Sequence, residues 1–333
     1  MSKPLVLVTR RIAPPAIERI RAACTVRHWD DDAPIPPAAL LEMAAGVAGV
    51  YCLITDRIDA ALLDAAGPHL QVVSTMSVGY DHIDIAACAA RGVRVGHTPG
   101  VLTETTAELT LALLLATARR LPEAWHAVKA GEWGPWQPEW MTGRDIYGST
   151  VGIVGLGRIG AAVARRLAGF GCRLLYTGSA PKPEVAGPLG AEYVEFPALL
   201  AACDFITIHC PLNAATRHLF DAAAFARMKS GAILINTSRG GVVDQDALYT
   251  ALSTGQIAAT GLDVTTPEPL PPDHPLLALS NCVVLPHIGS ASVATRTRMA
   301  VMAAENLVAG VTGQPLPNPV VTSPQLTPGM LPG

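Results

Sequence analysis

Charge is scarce in this sequence: Asp, Glu, Lys and Arg supply 15% of its 333 residues, below the roughly 25% of an average chain, and 50% of it is apolar. Such a composition excludes a disordered segment or a heavily solvated repeat array and points to a compact, soluble, core-rich protein. Runs of one sign are missing too. Nothing basic extends beyond a pair such as Arg10-Arg11 or Arg119-Arg120, and the net charge is −3, so nucleic acid is not an expected partner. The longest apolar stretch, 109–118, contains Thr110 and Thr117 and falls short of the roughly 18–20 residues of a membrane span. It reads as a buried helix, and no membrane association is expected. The opening MSKPLVLVTRR lacks the apolar core and small-residue cleavage site of a secretion signal, so export is not expected. No CxxC pair occurs among Cys24, Cys52, Cys88, Cys172, Cys203, Cys210 and Cys282. A disulfide framework and a zinc site are therefore not expected; the reading is free thiols in a reducing cytoplasm, with no metal.

What the chain does have is alternation. Short β-branched or Leu-rich runs alternate with Ala-rich stretches of helical spacing, the sequence form of βαβ units around a parallel sheet, so the fold class is α/β. At about 150 residues per domain the length suggests two domains. Strands are expected near 5–9, 49–54, 71–75 and 93–96, with helices near 15–22, 37–45, 59–65 and 83–90. A long helix follows over about 103–120, with Thr103 placed to cap it. Between 125 and 148 the alternation fails, and Trp133, Trp136 and Trp140 sit among Gly and Pro in an ordered loop or arm. A second strand series is expected near 151–154, 173–176, 205–208, 233–236, 260–264 and 282–285, in a doubly wound sheet. A last helix spans about 291–309, and the tail 322–333 reads as frayed.

The segment VGIVGLGRIGAAVARRLAGFG places Gly155, Gly157 and Gly160 between an expected strand and an Ala-rich helix, the context a GxGxxG dinucleotide motif requires. Gly155 permits the tight turn, Gly157 lets the backbone approach a pyrophosphate, and Gly160 lets helix pack on strand. The helix N-terminus offers unpaired N–H groups, and Arg158 can add a charge contact. About 20 residues on, where NAD-binding versions carry an acid for the ribose 2′-OH, the chain reads RLLYTGSAPKP and has none. Thr177, Ser179 and Lys182 offer hydroxyls and one cation instead, which suits a 2′-phosphate and predicts NADPH over NADH. The alternative is that Lys182 only decorates a surface loop.

Toward the C-terminus, Arg239, Glu268 and His287 fall near expected strand ends, where ligands gather in open parallel sheets. Reduction of a 2-oxo acid needs these types: Arg239 to grip the carboxylate, His287 to donate the proton, and Glu268 to fix the imidazole tautomer and support the protonated ring. The bland readings are a surface ion pair, a solvated turn residue and a core histidine.

These stretches, INTSRGGVVDQDAL, GLDVTTPEPLP and LPHIGSAS, together with STMSVGYDHID, GVRVGHTPGVLTETTAEL and GLGRIG, resemble the D-isomer-specific 2-hydroxyacid dehydrogenase family from near residue 70 to about 310. VTRRI and WDDDAPIP extend the resemblance toward the start. It implies two Rossmann-like domains with a cleft between them: a flavodoxin-like substrate domain over 1–99 and 290–321, and a doubly wound NAD(P)-binding domain over 100–289 with a dimerisation helix and arm at about 101–145. It implies reduction of small 2-oxo acids, glyoxylate to glycolate and hydroxypyruvate to D-glycerate. Backbone N–H groups at Val78 and Gly79, with Ser290 nearby, would hold the substrate carboxylate. Cofactor contacts would fall on Gly157, Arg158, Ile159, Ser179, Lys182, Pro211, Thr237, Asp263 and Gly289. Family members are homodimers, and Trp136 matches a tryptophan that reaches the partner's active site and limits substrate size; the alternative is that it packs on Trp133 and Trp140. Ser179 stands where animal members have an arginine, which leaves NADH open. Other readings are a dehydrogenase of D-lactate or a bulkier acid, and a nucleotide-sensing corepressor.

Overall fold

The computed structural model describes residues 3–321, so the expected frayed tail, 322–333, lies outside the described residues. The chain divides into two units, one of Met1–Leu102 with Ala291–Gly333 and one of Thr103–Ser290. In the first, the elements in order are β1 (Leu5–Val8), α1 (Pro14–Ala23), β2 (Thr25–His28), α2 (Pro37–Ala44), β3 (Gly49–Cys52), α3 (Ala60–Ala66), β4 (Val72–Thr75), α4 (Ile85–Ala90) and β5 (Arg94–Gly96). The strands form a five-stranded parallel sheet in the order β2-β1-β3-β4-β5, the flavodoxin-like winding. Alternation along each strand separates two cores: Leu7, Val50 and Val73 face the cluster of α2 and α3, whereas Val6, Val8 and Val72 face that of α1. Short helices start where their capping residues dictate. Asp59 accepts the Leu62 N–H at α3, and Asp84 the Ala87 N–H at α4.

The second unit contains α5 (Thr103–Ala118), α6 (Leu121–Lys129), β6 (Thr150–Val154), α7 (Arg158–Leu167), β7 (Arg173–Thr177), α8 (Pro183–Ala186), β8 (Ala191–Tyr193), α9 (Phe196–Ala202), β9 (Phe205–Ile208), α10 (Ala222–Arg227), β10 (Ile233–Asn236), α11 (Gln245–Ser253), β11 (Ala259–Leu262) and β12 (Cys282–Val284). Its seven-stranded parallel sheet runs β12-β11-β10-β9-β6-β7-β8. The winding reverses between β6 and β9, so the carboxyl ends of those two strands border the switch point where α/β sheets bind ligands. Helix α5 lies against the sheet so closely that a Cβ on Gly261 would meet Leu113 Cγ at 2.8 Å. The chain then returns to the first unit as α12 (Val293–Val311), capped by Ser292 and packed on β3 and β4.

Three expectations need correction. Strands β2 and β8 were not anticipated; both are sheet edges, and their sequences, TVRH and AEY, lack the apolar run that burial on both faces imposes. The arm is not irregular from Trp125, because α6, with Pro122 in its first turn, carries the helix to Lys129. Thr103 is the first residue of α5 and not a residue ahead of it. All seven cysteines are free thiols. Among the described residues no helix is long and apolar enough to cross a membrane, and no cluster of His, Cys, Asp and Glu could hold a metal ion.

Candidate active site

The glycine-rich turn follows β6 directly. Gly155 has φ +98, a conformation that L side chains rarely adopt, and a Cβ there would come within 2.7 Å of the Cys210 amide. A Cβ on Gly160 would strike the Gly155 carbonyl, which is why helix and turn can touch only with glycine at both positions. Gly157 differs: a Cβ would meet nothing within 4 Å, so its main chain faces open space. As the N-cap of α7 it has no side chain to satisfy the first-turn N–H groups, while Arg158 is exposed and Ile159 half-buried in that turn. An uncapped helix start beside an open glycine is the cradle a dinucleotide pyrophosphate fits.

The remaining cofactor candidates lie at or just beyond the carboxyl ends of the neighbouring strands. Thr177 closes β7, is buried, and gives its carbonyl to the Gly155 N–H at 2.9 Å. Ser179 is exposed in the loop beyond it, and the Lys182 N–H donates to Tyr176 Oη at 2.7 Å, which pins the loop while the Lys182 side chain remains partly exposed. No acid occurs between Thr177 and Lys182. Pro211 follows β9 and its carbonyl accepts the Thr216 hydroxyl, while the Thr237 hydroxyl after β10 bonds that of Thr110 at 2.8 Å. Asp263, after β11, has both carboxylate oxygens engaged by main chain, at 2.7 Å from the Ile288 N–H and 2.7 Å from that of Gly289. Burial raises its carboxyl above the usual range against the pull of those amides and of His287.

Next to the turn, His209 has Nε2 3.1 Å from Thr207 Oγ1, and burial lowers it from 6.5 to about 3. Between those values the unfolded chain binds a proton that the native chain refuses, so stability rises with pH across this window. Urea midpoints from pH 4 to 7 should fall less steeply on acidification in His209→Gln than in the parent; parallel slopes would contradict the assignment.

The three residues singled out for chemistry converge. Asn236 ends β10 and is fully buried; its Oδ1 accepts the Ser238 N–H at 3.0 Å and its Nδ2 donates to the Arg239 carbonyl at 2.9 Å. That cage sets the turn that presents Arg239, whose Nη1 donates to Ser238 O at 2.8 Å. Gly240 lies so close to the Thr265 main chain that a Cβ would overlap it, which brings the Arg239 turn against the loop carrying Glu268. Glu268 accepts the Thr265 N–H on Oε1 at 3.0 Å, and its Oε2 lies 2.7 Å from His287 Nδ1. Burial alone would raise the Glu268 carboxyl, but His287, the Thr265 amide and the Arg239 charge together hold it below the ordinary range. His287 has φ 54, a left-handed conformation costing a non-glycine residue about 1–3 kcal/mol, sustained by Asp263 clamping the next two amides. The ring itself is about one-third exposed. Asn236, Gly240 and the Asp263 clamp were not anticipated from sequence. For Asn236 the signal was present: one polar residue closing the apolar strand ILIN.

In the first unit, the segment after β4 has three successive carbonyls tied back. Ser77 O accepts the Thr98 N–H at 2.8 Å, Val78 O is 2.9 Å from His97 Nδ1, and Gly79 O accepts the Ser77 hydroxyl at 2.6 Å. The N–H groups of Val78 and Gly79 have no acceptor among the described residues. Two successive main-chain N–H groups without a protein acceptor, beside anchored carbonyls, make a candidate anion nest. In the second unit, Ser290 is half-buried beside the buried Gly289. Trp136 is 85% exposed, so its ring is not buried against Trp133 and Trp140.

Residues 111–289 match the family model described as D-isomer specific 2-hydroxyacid dehydrogenase, NAD binding domain. The chain is 55% identical over 318 residues to the Homo sapiens glyoxylate reductase/hydroxypyruvate reductase, covering 94% of this chain and 96% of that protein. Among solved structures, a Thermus thermophilus protein aligns with TM-score 0.89 at 47% identity, over 95% of this chain and all of the other. The NADPH-dependent glyoxylate/hydroxypyruvate reductase of Sinorhizobium meliloti, in complex with NADP and malonate, aligns with TM-score 0.84 at 35% identity, over 96% of this chain and 97% of that one.

Proposed function

Because the chain belongs to the D-isomer specific 2-hydroxyacid dehydrogenases, NAD(P)-dependent oxidoreductases, we propose that it reduces glyoxylate to glycolate and hydroxypyruvate to D-glycerate, with NADPH preferred. The observation that carries the chemistry is the 2.7 Å contact between His287 Nδ1 and Glu268, in a loop pressed against the Arg239 turn. With Nδ1 donating to the carboxylate, Nε2 is the ring atom left to hand a proton to a substrate carbonyl oxygen. Arg239 presents a planar fork suited to a carboxylate. A bound nicotinamide supplies the hydride for the carbonyl carbon. On the chemistry of the first unit by itself, the Val78 and Gly79 amides are a second carboxylate receptor, and Ser290 in the second unit adds a hydroxyl.

Coenzyme would be held at the Gly155–Gly160 turn, with Arg158 and Ile159, by the 2′-phosphate candidates Thr177, Ser179 and Lys182, and at Pro211, Thr237, Asp263 and Gly289. Two observations support the NADPH reading: the loop after β7 has no carboxylate to repel a phosphate, and a 35%-identical relative is described as NADPH-dependent. Steady-state kinetics with both coenzymes against glyoxylate, hydroxypyruvate and pyruvate test the proposal. Glyoxylate and hydroxypyruvate should be the better substrates and NADPH the better coenzyme. Lys182→Ala should lower kcat/KM for NADPH by about tenfold and leave that for NADH unchanged. A preference for pyruvate, or for NADH, would overturn the corresponding part.

We also assign a homodimer. Trp125 on α6 and Trp133, Trp136 and Tyr147 in the segment after it are 65%, 69%, 85% and 81% exposed, large apolar rings of the kind a second copy would cover. Trp136 is then available to bound the size of the substrate. Sedimentation should give a dimer, and a monomer at micromolar concentration would remove the assignment.

A further inference from the structure

We propose that His97 is a positioning residue that aims the Gly79 amide at the substrate carboxylate, an inference that rests on the carboxylate role proposed above for the Val78–Gly79 nest. In a trans peptide the C=O of one residue and the N–H of the next point in opposite directions, so anchoring one sets the other. The Ser77 carbonyl is held by the Thr98 main chain, which any residue at 98 except proline would supply. The Val78 carbonyl, whose peptide carries the Gly79 N–H, is held by a side chain: His97 Nδ1 at 2.9 Å. A carbonyl only accepts, so Nδ1 carries the hydrogen.

The main chain that carries the ring is itself fixed. The His97 N–H donates to Asn318 O at 3.1 Å, its carbonyl accepts Asn306 Nδ2 at 2.9 Å, and Asn306 Oδ1 accepts the Asn318 N–H at 2.9 Å. Asn306 lies on α12, is fully buried, and fills the space where a Cβ on Gly96 would come within 2.7 Å. Tyr80 closes the other side, edge-to-face on the His97 ring at 5.7 Å. A buried amide on the returning helix thus sets the backbone at 97, the imidazole sets the 78–79 peptide, and the nest inherits that geometry.

Two substitutions separate hydrogen bonding from packing. His97→Phe keeps a ring against Tyr80 and loses the donor; His97→Asn loses the ring and keeps an N–H at the same number of bonds from Cα as Nδ1. His97→Phe should raise the KM for glyoxylate, and the inhibition constant of malonate as an unreactive carboxylate, by about tenfold. Its kcat and its KM for coenzyme should stay within twofold. His97→Asn should behave like the parent, and His97→Leu replaces His97→Phe if the larger ring prevents folding. An unchanged KM in both non-donating variants, or an equal loss in His97→Asn, overturns the proposal. Gly79→Val, which sets a branched side chain on the nest, tests the foundation. If it leaves the KM unchanged in a folded protein, the nest is not the carboxylate site and both readings fall; if it raises the KM while the non-donating His97 variants do not, only the role of His97 falls.

Discussion

His287→Gln is expected to lower kcat for glyoxylate reduction by at least about a thousandfold, the upper part of the range for losing a positioned general acid, while coenzyme affinity stays within about twofold. The glutamine amide falls where Nε2 was and not where Nδ1 meets Glu268, but Glu268 still accepts the Thr265 N–H, so the loop should stay in place; the amide has no proton to transfer at neutral pH. The left-handed backbone at 287 is held by Asp263 through the amides of Ile288 and Gly289 and not by the imidazole, so the substitution should leave it standing. Turnover measured beside coenzyme fluorescence titration checks both halves. Parent-like turnover would take His287 out of the reaction, and a parallel loss of coenzyme binding would show that the substitution had damaged the fold.

The second large effect is expected at Arg239. Arg239→Met should cost about a hundredfold to a thousandfold in kcat/KM, because the charge-assisted pair with the substrate carboxylate is lost. Unlike His287→Gln it should raise KM strongly. Arg239→Lys should recover only part, since an ammonium is a point charge without the planar fork. A pH signature accompanies it. The Arg239 charge is one of the influences holding the Glu268 carboxyl below its ordinary range, so removing it lets that carboxyl titrate at higher pH. The ionised carboxylate is present above its pKa and lost below it; the acid limb of the kcat profile in Arg239→Met should therefore move to higher pH. An acid limb that stays in place would mean that Arg239 and Glu268 do not act on one site.

Much of this site was legible because its residues interrupt apolar runs. Three glycines at the start of an amphipathic helix, an arginine after ILIN and a histidine after VVLP are polar or flexible residues placed at the ends of buried strands, where burial alone would not put them. The edge strands β2 and β8 were illegible for the converse reason, being open to solvent on one side and carrying Arg27, His28 and Glu192. Helix α6 was obscured by Trp125 and Val128, which are exposed on it and give no core-facing stripe. Contacts between distant positions leave no local trace either. Asn306 holds a carbonyl 209 residues away, and Asp263 engages amides 25 and 26 residues on, so neither pairing has a spacing to recognise. Asp263 entered through family resemblance as a cofactor contact, and its clamp on the His287 loop became visible only in three dimensions.

The first unit is completed by a helix that is translated last. Gly49 and Gly96 are open slots until Leu307, Val311 and Asn306 of α12 settle into them, and the Ser74 hydroxyl donates to the Ala303 carbonyl of the same helix. During synthesis the second unit has all its strands before α12 leaves the ribosome, whereas the amino-terminal sheet must wait with one face covered only in part, by α1. That nascent face, not the finished enzyme, is where a chaperone would find the chain most in need of shelter.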